Sequence, residues 1–249
     1  MTRTLASSST MRSALATAAL TLALLLLTMP ALAQDEGGDM KQEVNGTSGS
    51  KSSEQTTMVD YVGTAQELAR YGAAERDPVA MVTAARILVQ QNAADATTPD
   101  EEAGQSDDSG AAVPSTAQGL LDAAQQLAPD DDNVSAMIAD VESMMEGERG
   151  GVYGPKRYTG TVGGSDREDT WNLGDFRGSE PARVIVDGDG DTDLDCYIYD
   201  ENGNLIDSDT DTTDYCILGW TPAWTGGFRL RIRDYSNNGL TNSYVISHN

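Results

Sequence analysis

Beyond Gly150 the chain is cut into short runs of alternating character: "RYTGTV", "DTWNLG", "ARVIVD", "DLDCYIYD", "NLIDSD", "YCILGW", "GFRLRIRD" and "SYVISH", separated by Gly, Asn and Asp. Alternation with period two sends successive side chains to opposite faces of a strand. About eight such strands in about 95 residues predict an antiparallel β-sandwich, with "ARVIVD" and "GFRLRIRD" as central strands. Helical periodicity nearly vanishes in this stretch, so any helices must lie upstream.

Upstream, the first 33 residues carry Arg3 and Arg12, an apolar run from Ala14 to Leu27, and Ala31-Leu32-Ala33. This is the pattern of a secretory signal peptide, cleaved after Ala33. The run is too short for a membrane anchor and Pro30 follows it, so the mature chain is expected to be periplasmic or secreted, with no membrane insertion after cleavage. Residues 34–55 are Gly, Ser, Glu and Gln with little to bury, the composition of a flexible leader. Met58, Val62, Ala65 and Ala69 then recur at helical spacing up to Gly72, and Asp77-Pro78 caps a second helix bearing Met81, Ala84, Ala85 and Leu88. An acidic, small-residue linker spans 92–113. A second hairpin follows, with Leu120, Leu121, Ala124 and Leu127 before Pro129, an Asp131/Asp132 cap, and Val134, Met137, Ile138, Val141 and Met145 after it.

The two hairpins echo each other faintly, "AQELARYGAAERDPVAM" against "AQGLLDAAQQLAPDDDNVSAM". They lack the period of a tetratricopeptide array, and two hairpins are fewer than such arrays need, so they are expected to pack as a small bundle with Met as core filler. The organisation is therefore α+β and multidomain: signal peptide 1–33, disordered leader 34–55, helical-hairpin module 56–149, and sandwich 151–249.

With 40 acidic against 16 basic residues and a net charge of −24, the chain is a poor ligand for nucleic acid or anionic membranes, whose affinity comes from Lys and Arg. The one histidine, His248, sits at the end of a tail, which excludes Ser-His-Asp, Cys-His and HExxH chemistry. "GVYGP" and "TVGGSD" lack the Lys-Ser or Lys-Thr of a phosphate loop. The protein is thus not expected to be an enzyme; a hydrolase with a carboxylate pair is the lesser alternative. Cys196 and Cys216 are the only cysteines. In an exported chain they are expected to form a disulfide, closing a loop of about 20 residues and contributing roughly 3 kcal/mol.

"DGDGDTDLDCYIYD", residues 187–200, is the densest acidic stretch. Leu194, Cys196 and Ile198 share one face and are expected inside, leaving Asp195, Tyr197 and Tyr199 outside. Asp187, Asp189, Asp191 and Asp193 have the parity of Asp195 and are expected on the solvent side. A loop of Asp200 to Gly203 sets Ile198 opposite Leu205 and brings "DGDGDTD" beside "DSDTDTTD" at one end of the hairpin. No basic residue lies between Arg183 and Arg229 to neutralise them. Either water and salt screen this cluster, or calcium is held by Asp187, Asp189, Asp191, Asp193, Asp195, Asp207, Asp209 and Asp211. Gly188 and Gly190 permit the necessary curl. An EF-hand does not fit, because the sixth position from Asp187 is Thr192 and the twelfth is Ile198. Trp220 has the parity of Cys216 and Leu218 and belongs to the core. Trp224, in a Pro/Gly-bounded turn, is a candidate ligand-binding residue with Tyr197 and Tyr199, for a sugar or an apolar partner; packing beneath the loop is its competing use.

The run from "EDTWNLGDF" through "DLDCYIYDENGN" to "GFRLRIRD" and "NSYVIS" resembles the bacterial pre-peptidase C-terminal domain over roughly 155–247. Trp171, the Asp193 to Gly203 hairpin, Gly227 to Ile232 and Tyr244 carry the resemblance, while Cys196 and Phe228 depart from the family pattern. It implies a jelly-roll-like sandwich appended to secreted proteins, often proteases, that aids secretion or binds a surface, is not catalytic, and in some relatives binds calcium. The function expected is that of an exported binding or accessory protein whose partner is an unknown protein or glycan. The alternative is a structural or chaperone-like accessory that grips its partner with the helical hairpins.

Overall fold

The computed structural model describes residues 43–49, 51–95, 113–147, 154–164, 167–190, 192–235 and 239–249. The expected signal peptide, the first part of the leader, the linker core 96–112 and Asp191 lie outside them. Four helices and nine strands occur among the described residues: β1 (Thr47–Ser48), α1 (Glu54–Glu75), α2 (Pro78–Gln90), α3 (Ala117–Leu127), α4 (Asp132–Gly147), β2 (Lys156–Gly163), β3 (Glu168–Phe176), β4 (Ala182–Asp187), β5 (Leu194–Asp200), β6 (Leu205–Asp209), β7 (Tyr215–Thr221), β8 (Gly226–Asp234) and β9 (Thr241–His248).

The strands form two antiparallel sheets, ordered β1-β7-β4-β9-β2 and β3-β8-β5-β6. Val184, Val186, Leu218, Trp220, Tyr244 and Ile246 of the first meet Leu194, Cys196, Ile198, Phe228, Leu230 and Ile232 of the second in one core. Each set is an alternate-residue set, as the period-two pattern requires. Trp220 is fully buried between Phe176 and Phe228, at ring distances of 4.9 and 5.0 Å. The Cys196–Cys216 disulfide joins β5 to β7, and therefore one sheet to the other, across a Cα separation of 6.2 Å. His248 is not on a free tail. It ends β9 inside the sandwich, 5.8 Å from the Tyr158 ring and 5.5 Å from that of Phe176, and burial pushes its imidazole down to about 4.

Two of the four helices begin at caps read from the sequence, Asp77 and Asp131; the other two begin at Ser53, inside the expected leader, and at Thr116. Ser53 caps α1 in a reciprocal capping box with Thr56, Asp77 caps α2, Thr116 caps α3, and Asp131 accepts from the amides of Asn133 and Val134 at the start of α4. Gly72 does not end the first helix, which runs on to Glu75 before Arg76 turns left-handed. Gly72 instead lets α2 approach: an added Cβ would stand 2.9 Å from Met81 Cγ and 3.1 Å from the Asp77 carbonyl oxygen. Val62, Ala65 and Ala69 of α1, the inner face of α2, Leu120, Leu121 and Ala124 of α3, and Val134, Ile138 and Val141 of α4 share a second core.

A second stripe of α1 lies on the sandwich, and residues 41–249 cluster as one unit. Val59 is fully buried, and Gly63, Gln66 and Arg70 follow it at the spacing of one helix face. At Gly63 a Cβ would be 2.6 Å from the Tyr215 hydroxyl and 2.7 Å from Ile185 Cδ1, so the missing side chain lets the helix settle on β4 and β7. Gln66 accepts from the Ser247 hydroxyl at 3.4 Å, and Asp60 pairs with Arg183 at 3.0 Å. Arg157 on β2 is only 2% exposed and donates to the Ser115 carbonyl at 2.6 Å; burial lowers its guanidinium to about 10.

Two further expectations differ from the structure. Part of the supposed leader is ordered: β1 pairs with the end of β7, and Asn45 is fully buried between two loops. A polar segment can order without an apolar face when its hydrogen-bonding groups find partners on an existing sheet. The hairpin register also differs. Ile198 faces Asp207, and a bulge then sets Tyr199 opposite Leu205. The loop is Glu201 to Gly203, with Gly203 at φ +82, and the bulge turns Ile206 inward while Leu205 stays exposed. One extra residue on β6 thus satisfies the buried pattern that a longer loop was expected to satisfy.

Because the disulfide spans the two sheets, replacing Cys196 and Cys216 by Ser is expected to lower the unfolding free energy by about 3 kcal/mol, measured by urea titration at matched pH; a loss below about 1 kcal/mol would mean that the core alone holds the sheets together.

Candidate functional site

The acidic ribbons of the β5–β6 hairpin meet β7 and the ends of β4 and β9. Asp207 and Asp209 stand two residues apart on β6. Their carboxylates accept from the amides of Gly219 and Ile217, both at 2.8 Å, which also stand two residues apart on β7. The exposed edge of β7 is paired by β1 only at Trp220 and Thr221, so these two Asp side chains continue the work of a strand. Ser48 adds a hydroxyl to Asp207 at 2.7 Å.

Other members of the ribbon follow the same rule. Asp189 accepts from the Ser243 amide at 2.7 Å, beyond the last β4–β9 pair. Asp211 accepts from the amide and hydroxyl of Thr213, at 2.8 and 2.6 Å. Asp195 accepts from the Tyr197 hydroxyl at 2.9 Å. Asp195 keeps the predicted outward parity, yet it is only 8% exposed. At the hairpin tip Asp200 accepts from the amides of Asn45, Asn202 and Asn204. Burial raises its carboxyl, but those bonds outweigh burial and hold it below the ordinary value.

Asp187 departs from expectation most. It lies beneath α1 rather than in solvent, 5% exposed, and Arg70 reaches it at 2.9 Å. Arg70 also pairs with Asp214 at 3.2 Å and donates to the Gly188 carbonyl at 3.0 Å. The cation missing between Arg183 and Arg229 is therefore supplied by the helical part. Desolvation dominates even so: burial lifts the Asp187 carboxyl to about 7, Arg70 pulling it down and Asp214 adding to the rise.

Asp193 has one buried oxygen with no hydrogen-bond donor among the described residues, and burial, with Asp195, Asp211 and Asp234 nearby, pushes its pKa up. No group of three or more His, Cys, Asp or Glu among the described residues is placed to hold a metal ion; Asp191, the remaining member of the expected set, lies outside them. The fit to calcium is poor for a chemical reason, since most of these carboxylates already accept from protein donors.

The outer face of the β3-β8-β5-β6 sheet is different in kind. Tyr197 and Tyr199 project from β5, as expected, and the Arg231 guanidinium lies over both rings, 4.7 and 5.2 Å from their centres. Arg233 lies 4.6 Å over Tyr235, which is 43% exposed. Trp224 is not part of this surface by any ring contact among the described residues. Its indole donates to Glu201 at 2.7 Å, and its amide, with that of Ala223, donates to the Asn45 side chain. Asn45 and Arg70 were not foreseen, because neither stands in a motif; the arginines were hidden inside a strand pattern read only for its apolar half.

Two outcomes are expected here. Between the ordinary Asp value of about 4 and about 7, the folded chain binds one proton more than the unfolded chain at Asp187. Its contribution to stability is therefore largest below that window and falls as pH rises through it. Asp187→Asn removes the titrating group and should flatten the melting midpoint against pH over that range, whereas an unchanged profile would contradict the assignment. Melting curves of the full chain in millimolar calcium and in chelator should share one midpoint, because an ion bound to the native state alone must raise it.

No family model matches the chain, and no curated protein does. Among solved structures, the pre-peptidase C-terminal domain of the collagenase from Bacillus anthracis is similar, at 15% identity and a TM-score of 0.33. The match covers 38% of this chain and 89% of that domain.

Proposed function

We propose that this chain is an exported, non-catalytic accessory protein that engages a partner through the outer face of its four-stranded sheet. The observation that carries this reading is the ladder of Tyr197, Arg231 and Tyr199, with Arg233 and Tyr235 beside it, on the one sandwich face that α1 does not cover. Stacked Tyr and Arg side chains present large contact area at low entropic cost, which is the composition of protein-binding surfaces. The carboxylates that a hydrolase would need are engaged by amides, hydroxyls and Arg70 instead. Export is supported by the leader pattern of residues 1–33 and by the inter-sheet disulfide, which suits an oxidising compartment.

The helices act in this proposal as a brace. Their route to a partner is narrowed because one stripe of α1 is already occupied by β4 and β9. Purified full chain should be retained on at least one of immobilised poly-L-glutamate, polygalacturonate, chitin or peptidoglycan. The Tyr197→Ala/Tyr199→Ala variant should lose that retention while keeping its circular dichroism spectrum. Retention on none of the four, or retention indifferent to the double substitution, would remove this face from the function.

A further inference from the structure

We infer that the partner taken by this face is an acidic polypeptide segment in extended conformation, an inference that rests on the face being the engagement surface. Phe228, Leu230 and Ile232 of β8 are fully buried, so Arg229, Arg231 and Arg233 between them all project from the opposite face. β8 lies between β3 and β5, and the arginine row therefore runs along the inside of the sheet rather than along an edge. Alternate residues on a strand stand about 7 Å apart, and so do alternate carboxylates of an extended acidic peptide. The two repeats match residue for residue.

The row is underneutralised. Arg233 stands between Glu168 on β3 and Asp195 on β5, but Glu168 is 46% exposed and reaches the row only at 3.8 Å, on Arg231, while Asp195 is buried beside the Tyr197 hydroxyl, so two carboxylates face three guanidinium groups. Arg229 faces Asn172 and Tyr199 and has no carboxylate partner among the described residues. In a chain of net charge −24, a polyanion is repelled by most of the surface and attracted by this strip, which fixes where it docks. The tyrosines set what kind of polyanion fits. Guanidinium groups already lie over the rings of Tyr197, Tyr199 and Tyr235, so the flat apolar platform on which a pyranose would stack is covered. The exposed members of the row, Arg229 and Arg233, carry planar N–H forks suited to carboxylates.

The test is fluorescence anisotropy of a labelled alternating Asp-Thr peptide of about a dozen residues with the full chain. Binding should weaken about tenfold between roughly 50 and 300 mM NaCl, and about tenfold or more in the Arg229→Gln/Arg233→Gln variant. Arg229→Lys/Arg233→Lys should bind between the two, since it keeps the charge and loses the fork. Arg177→Gln, at an exposed site elsewhere, should bind like the parent chain. Absence of peptide binding, or equal binding by the Gln variant with an unchanged melting midpoint, overturns the inference. Polygalacturonate binding more tightly than the peptide, and losing affinity in the same variant, would also overturn it while leaving the face as the engagement surface. Tyr-independent retention in the preceding test, by contrast, would remove the face itself.

Discussion

Crowded carboxylates must find donors, and in this molecule the nearest donors are backbone amides. Asp207 and Asp209 take the amides of Gly219 and Ile217, Asp189 that of Ser243, Asp211 that of Thr213, and Asp200 three at the hairpin tip. The constraint works in both directions. A strand edge leaves amides that cost free energy if unpaired, and an acidic ribbon leaves charge that costs free energy if bare. Each defect removes the other, and the alternate spacing of Asp on β6 is set by the alternate spacing of outward amides on β7.

Where amides run out, a cation is needed, and it comes from far along the chain. Arg70 serves Asp187 and Asp214 together, which ties the orientation of α1 to the acidic end of the sandwich. Gly63, Gln66 and Asp60 add close approach, a hydrogen bond and an ion pair along the same helix. The helical part and the sandwich consequently share an interface that is polar at both ends and tight in the middle. Burial of Asp187 and Arg157 within it shifts both groups toward their neutral forms, the electrostatic sign of an interface that excludes water.

Much of the fold was legible because burial writes itself as period. The strands from "RYTGTV" to "SYVISH", the inward set of Leu194, Cys196 and Ile198, and the caps at Asp77 and Asp131 all follow from local chemistry. What stayed hidden was polar burial. The sheet-facing stripe of α1 holds Gly63, Gln66 and Arg70, which no hydrophobic count detects, and Asn45 orders its segment through hydrogen bonds alone. The hairpin register failed for a related reason: a bulge absorbs one residue, and nothing in the apolar pattern announces it. At the candidate surface, the outward parity of Tyr197 and Tyr199 could be read, but the arginines that cover them belong to another strand.

The seal on β7 has a consequence for how this protein behaves among copies of itself. A strand edge is ordinarily guarded by another strand or by a covering loop, both indifferent to acidity. Here much of the guard is carboxylate, held by hydrogen bonds that are strong because the acceptor is ionised. The β7 edge is thus closed to a further strand by two kinds of guard at once, the short β1 at Trp220 and Thr221 and the carboxylates of Asp207 and Asp209 at Gly219 and Ile217.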